Sequence, residues 1–165
     1  MLSMKITNVK EFMNKALRED VFDNFYVCEA SLKTNVSYHI DGKINEDYYS
    51  NEEKLELNHR KYATWAEEKP LVFQMLKGKK LPVAFKFVFM LSPENVEKIV
   101  MQNNLSVTVT DIAGLFLNVL YDNGTLTCTS GTSLLTFTLD KTLEYAWETS
   151  LMKFFKGKGL DFEEM

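Results

Sequence analysis

Two histidines, two cysteines and one run of hydroxyl residues are the groups in this 165-residue chain whose types could support bond-making chemistry. His39 and His59 are the two imidazoles, the side chains whose ordinary pKa lies near neutrality. His39 alternates onto the polar side of a strand-like run. His59 falls in a segment rich in Glu, Lys, Asn and Tyr. Both read as solvated side chains and not as an acid–base pair. Asp41, Glu46 and Asp47 bring three carboxylates close together, but without a His or Cys beside them at ligand spacing they read as a polar turn. Ser130-Gly131-Thr132-Ser133 offers hydroxyls and backbone donors that could face an anion, and a connection between two strands needs the same residue types. Gly157-Lys158-Gly159 follows a helical pattern instead of opening one, so it is no phosphate loop. No catalytic residue, metal site or cofactor is expected from this inventory.

Binding is the chemistry that remains. Lys10, Lys15 and Arg18 share a predicted helix and form the candidate nucleic-acid face, with Glu11 and Glu19 offsetting them. A second helix offers Lys98 against Glu94 and Glu97. Both helices read as near neutral, so attraction to phosphates is expected to be modest. The net charge of −4 adds no basic excess. Tyr48, Tyr49, Tyr62 and Trp65 form the candidate partner-binding cluster, because exposed aromatics are enriched at protein interfaces. The bland alternative is that they cover one end of a sheet as core.

The elements that position these residues follow from period and punctuation. Met4 to Ile6 reads as a short strand. Thr7 or Asn8 can cap a helix whose Val9, Phe12, Met13, Ala16 and Leu17 fall on one apolar face. Phe25 to Thr34 and Val36 to Asp41 alternate as strands, with Tyr26, Cys28, Ala30 and Leu32 set against Val27, Glu29, Ser31 and Lys33 in the first. Asn45 to Lys80 reads as an insertion. Ser50 caps one helix in it, and Thr64 with Glu67 forms a capping box for another, or that helix begins at Pro70. Val83 to Leu91 is a strand, and Ser92-Pro93 opens a helix carrying Val96, Ile99 and Val100. Gly114 to Leu139 reads as three antiparallel strands, joined by Asn123-Gly124 and by Ser130-Gly131-Thr132. Asp140 caps a final helix bearing Leu143, Trp147, Leu151 and Phe154, and Lys158 to Met165 reads as an acidic tail.

The expected fold is a single α+β domain over residues 1–165, a largely antiparallel sheet with helices packed against it. It comprises two strand-helix-strands pseudo-repeats (about 4–44 and 81–139), the insertion (about 45–80) and the C-terminal helix (about 140–157). The expected core is Val9, Phe12, Leu17, Val96, Ile99, Leu115, Leu117, Phe137, Leu139, Leu143 and Trp147. The repeated element order, with LFLNV followed by GTLTCTSGTSLLTFTL, resembles the unit of DNA sliding clamps. There two units make one domain, and that resemblance implies a nucleic-acid-associated role. LSPEN, GLFLN, LTCTSGTS and the Asp140 to Trp147 stretch resemble a family of uncharacterised bacterial proteins of about this length, which brings no functional residue with it.

A hydrophobic content of 45% is that of an ordinary globular protein. The N-terminal residues have no secretory pattern, and the most apolar window, Pro82 to Leu91, is too short to span a bilayer. Cys28 and Cys128 are expected as two free thiols in a reducing cytoplasm. The expectation is a non-enzymatic intracellular binding protein with protein partners, monomeric or homodimeric. A clamp-like nucleic-acid factor is the alternative, and an enzyme using the polar hairpin is third.

Overall fold

The computed structural model describes residues 1–165. The elements run β1 (Ser3–Ile6), α1 (Val9–Leu17), β2 (Tyr26–Lys33), β3 (Ser37–Asp41), α2 (Asn51–Leu57), α3 (Trp65–Leu76), β4 (Ala84–Met90), α4 (Pro93–Gln102), β5 (Ile112–Asp122), β6 (Thr125–Leu134), α5 (Thr142–Gly157) and β7 (Phe162–Glu164). The strands form one antiparallel sheet in the order β3-β2-β4-β5-β6-β1-β7. The fold is α+β, as the pattern predicts.

Alternation decides which side of the sheet is covered. Phe85, Phe87 and Phe89 of β4, Leu115, Leu117, Val119 and Tyr121 of β5, and Leu126 and Cys128 of β6 are buried. Lys86, Leu120, Asp122 and Thr125 between them are exposed. Phe12 and Ala16 of α1, Trp65 and Val72 of α3, Val96, Ile99 and Val100 of α4, and Leu143, Ala146, Trp147, Leu151 and Phe155 of α5 complete the core. Aromatic rings fill its centre: Phe22 stacks on Phe89 at 5.4 Å, and Trp65 meets Phe87 at 4.9 Å. Truncating one such side chain to Ala costs about 3–5 kcal/mol.

Local chemistry sets the boundaries. Asn8 caps α1, its carboxamide oxygen accepting from the Glu11 N–H at 3.0 Å. Capping boxes open α2 (Ser50 with Glu53) and α3 (Thr64 with Glu67). α3 therefore starts at Trp65 and runs through Pro70. The cap, and the Trp65 N–H donating to the Phe25 carbonyl at 2.8 Å, outweigh the helical bond that Pro70 cannot make. Asn123 (φ 49°) and Gly124 (φ 82°) make the tight turn between β5 and β6.

Several expectations are corrected. Ser130-Gly131-Thr132 is not a turn: β6 runs straight through it, pairing Ser130, Gly131 and Thr132 with Leu117, Phe116 and Leu115. The edge of β6 that a third hairpin strand would have taken is occupied by β1, and the Ser130 hydroxyl accepts from the Leu2 N–H at 2.8 Å. Phe137 and Leu139 consequently lie outside the core, 90% and 83% exposed. In β2 a bulge after Val27 turns Val27 into the core in place of Cys28. Gly42 lies against this bulge, so close that a Cβ there would sit 1.7 Å from the Val27 carbonyl oxygen. The C-terminal residues are no free tail, because β7 pairs with β1 and Leu160 is buried. The strand-helix-two-strands order does occur twice. Its pairings differ, however: β4 lies between β2 and β5, whereas β1 lies between β6 and β7.

Candidate functional site

The aromatic cluster read from the insertion does not form a single surface. Trp65 is fully buried, and its indole N–H donates to the Ala16 carbonyl at 2.7 Å, satisfying an acceptor at the end of α1. Tyr62 is half-buried and bridges to Lys43 through the backbone. Tyr48 and Tyr49 remain as an edge-to-face pair with ring centroids 5.2 Å apart, Tyr48 exposed and Tyr49 half-buried. Trp65 is therefore core, and it acts through packing.

The basic residues sort differently from their order in the sequence. Lys15 is turned away: its ammonium donates to the Lys158 carbonyl at 2.6 Å and lies 3.6 Å from the Glu11 carboxylate. Lys10 of α1 and Arg18, which caps its C-terminus, stay exposed on one stripe with Met13, Asn14 and Leu17, at i, i+3, i+4, i+7 and i+8. This stripe forms one wall of a groove of about 650 Å³. Phe73 and Leu76 of α3, with Lys77 just past its end, form the opposite wall, and Lys80, Leu81 and Pro82 close the end. The Arg18 guanidinium stands 5.5 Å from the centre of the Phe73 ring.

Four cations, Lys10, Arg18, Lys77 and Lys80, thus surround an apolar floor of Met13, Leu17, Phe73, Leu76 and Leu81. Glu11 is the single carboxylate on the lining, and it faces Lys15. Half of this site is legible in the sequence. Taken alone, α1 reads as near neutral. Lys77 and Lys80 read as complements to the negative end of α3. Only the packing of α1 on α3 brings the two sets together.

Residues 15–163 match the sequence profile of a family of unknown function, DUF5721. The chain belongs to that family. This agrees with the resemblance to uncharacterised proteins drawn from LSPEN, GLFLN and LTCTSGTS. No curated protein and no solved structure matches the chain, and the likeness to sliding clamps has no solved structure behind it.

Other chemically capable groups lie elsewhere in this family member. The Ser31 hydroxyl donates to Glu29 at 3.1 Å and sits 3.2 Å from Nδ1 of His39, itself 3.8 Å from the same Glu29 carboxylate. The Ser31 hydroxyl and the Glu29 carboxylate thus approach the same ring nitrogen, which is not the relay of a catalytic triad. All three residues sit on the exposed side of the sheet. Asp41 accepts from the Lys43 N–H at 3.0 Å, the turn role expected of it. No three His, Cys, Asp or Glu side chains are grouped to hold a metal ion.

Cys28 and Cys128 are both free. β4 and β5 lie between their strands, a separation of about 14 Å, too far for a disulfide. Burial pushes both thiols up, Cys28 to about 11. A second cleft, of about 430 Å³, lies between α4 and α5, with Lys98, Lys158 and Asp20 on its rim and Phe25, Trp147 and Phe154 beneath. Its charges are mixed, so it selects no sign of ligand. No helix is long and apolar enough to cross a membrane.

Proposed function

We propose that this chain is a non-enzymatic intracellular binding protein that docks an acidic, amphipathic segment of a protein partner in the groove between α1 and α3. The observation that carries this reading is the convergence of Lys10, Arg18, Lys77 and Lys80 around an aliphatic floor, in a chain whose net charge is −4. Field lines from four cations over a low-dielectric floor favour a negatively charged visitor. The floor then selects among such visitors. Met13, Leu17, Leu76 and Leu81 suit the apolar face of a short helix or extended peptide. A nucleic acid would use aromatic platforms for its bases. Phe73 is the one half-exposed ring here, and Arg18 already lies against it. The intracellular setting is supported by two thiols held apart as free cysteines.

Fluorescence anisotropy with a labelled peptide of about 12 residues, with Leu and Phe on one helical face and Glu and Asp on the other, tests the reading. Saturable binding is expected, weakening as salt is added. A variant carrying Lys10→Gln, Arg18→Gln, Lys77→Gln and Lys80→Gln should bind about tenfold more weakly or worse, with an unchanged circular dichroism spectrum, because all four side chains are exposed. Equal binding by that variant sinks the proposal. Tighter binding of oligo-dT than of the peptide would promote the nucleic-acid reading in its place.

A further inference from the structure

The insertion presents an acidic helix that packs on nothing. α2 has no buried residue. A helix of seven residues is marginal in water on its own. α2 is held instead by its Ser50–Glu53 capping box and by the backbone at the base of its loop, where the Ile44 N–H donates to the Lys61 carbonyl and the Ala63 N–H to the Gly42 carbonyl, both at 2.8 Å. On its surface Glu52, Leu55 and Glu56 stand at i, i+3 and i+4, so one apolar side chain is flanked by two carboxylates. Leu55 is 82% exposed. The preceding helical turn, Glu46–Tyr48, adds Glu46, Asp47 and Tyr48, the last 84% exposed. Glu46, Asp47, Glu52 and Glu56 form no ion pair within the chain. Lys10, Arg18, Lys77 and Lys80 around the groove form none either.

We infer that the groove between α1 and α3 takes α2 of a second copy of this chain, so that copies join head to tail; this rests on the groove being a docking site for acidic amphipathic segments. Charge complementarity argues for that occupant. Four unpaired cations ring an apolar floor, and the segment Glu46–Leu57 brings four unpaired carboxylates with Leu55 among them. The fit is that of a short helix in a groove, with Leu55 on the floor of Met13, Leu17 and Leu76 and the carboxylates toward the rim. α2 is already helical before it docks, so little ordering opposes the contact. The segment does not fill the groove of its own chain. None of its residues lines that groove, and its loop is closed by the pairing of Lys43 with Tyr62, just before α3, whereas Phe73 lies about 12 Å further along that helix. The two surfaces are therefore different patches of one molecule. Such a contact is heterologous and leaves each copy with a free groove or a free α2 for the next.

Sedimentation velocity from about 10 μM to about 0.5 mM at low salt reads the result. The wild-type chain is expected to rise from 19.1 kDa past twice that mass as concentration increases, and to return to 19.1 kDa when salt is added. A variant of the acidic segment carries Glu46→Gln, Asp47→Asn, Glu52→Gln, Leu55→Gln and Glu56→Gln, none of them at a buried position. It should stay monomeric and still bind the labelled acidic amphipathic peptide as the wild type does. The groove variant, with Lys10→Gln, Arg18→Gln, Lys77→Gln and Lys80→Gln, should stay monomeric and lose that peptide about tenfold. Mixed in equal amounts, the two variants should form a 1:1 complex, because each supplies the surface the other lacks; a contact of either surface with itself would not be restored in this way. A wild-type chain that remains monomeric at every concentration overturns the inference. So does association that survives in the acidic-segment variant, or a mixture that stays monomeric. Peptide binding by the acidic-segment variant then tells the two failures apart: if it is retained, the groove still docks acidic segments and only the second copy is lost as occupant; if it is absent, the groove reading falls as well.

Discussion

Trp65 shows how one residue can carry the right chemistry in the wrong place. Its neighbours in sequence are polar, and aromatics in a polar insertion read as a binding surface. The indole N–H decides otherwise, because it finds the Ala16 carbonyl at the end of α1 and ties two helices together inside the core. Nothing local in the sequence marks a contact between residues 49 positions apart. Trp65→Phe keeps an aromatic ring but strands a buried acceptor, so it should cost about 1–3 kcal/mol in a denaturant melt. Trp65 and Trp147 are both buried, at 0% and 2% exposure, so iodide should barely quench the native emission. Strong quenching in the folded protein, or an unchanged denaturation midpoint in the variant, would contradict this placement of Trp65.

Elements with local determinants were legible in the sequence, and pairings with distant ones were not. Asn8, the two capping boxes and the Asn123-Gly124 turn act within a few residues, and the structure uses them all. The third hairpin strand failed because its place beside β6 was taken by β1, more than a hundred residues away in sequence. Val27 replaced Cys28 in the core because a bulge, set by Gly42 and the backbone around Ala63, shifted the alternation by one. The start of α3 yields a pH prediction. The Arg60 guanidinium bonds the Glu67 carboxylate and, with the Thr64 backbone, holds its pKa at about 2 against an ordinary 4.5. A carboxyl held down in the folded state adds stability that is complete above pH 4.5 and is lost as the pH falls through about 2. Glu67 is 43% exposed, so solvent screens the effect and it should be small. Glu67→Gln should therefore lower the melting temperature at pH 7 and flatten its decline below pH 4.5. An equally steep decline in the variant would remove Glu67 from the account.

At the scale of the whole molecule, the groove and the exposed run that follows β6 sit at opposite ends of β5. Tyr121 lines the groove, whereas Leu134 leaves the sheet beside Ile112, about 30 Å along the strand. The groove itself was half legible: α1 displays its cations at helical spacing, but their meeting with Lys77 and Lys80 depends on tertiary packing. Mapping amide chemical shifts in a ¹⁵N-labelled sample during titration with the acidic amphipathic peptide tests that meeting most directly. Shifts are expected to concentrate in Asn8 to Arg18 and in Phe73 to Leu81. Shifts centred on the exposed side of the sheet or on the cleft between α4 and α5, or no shifts at saturating peptide, would contradict it.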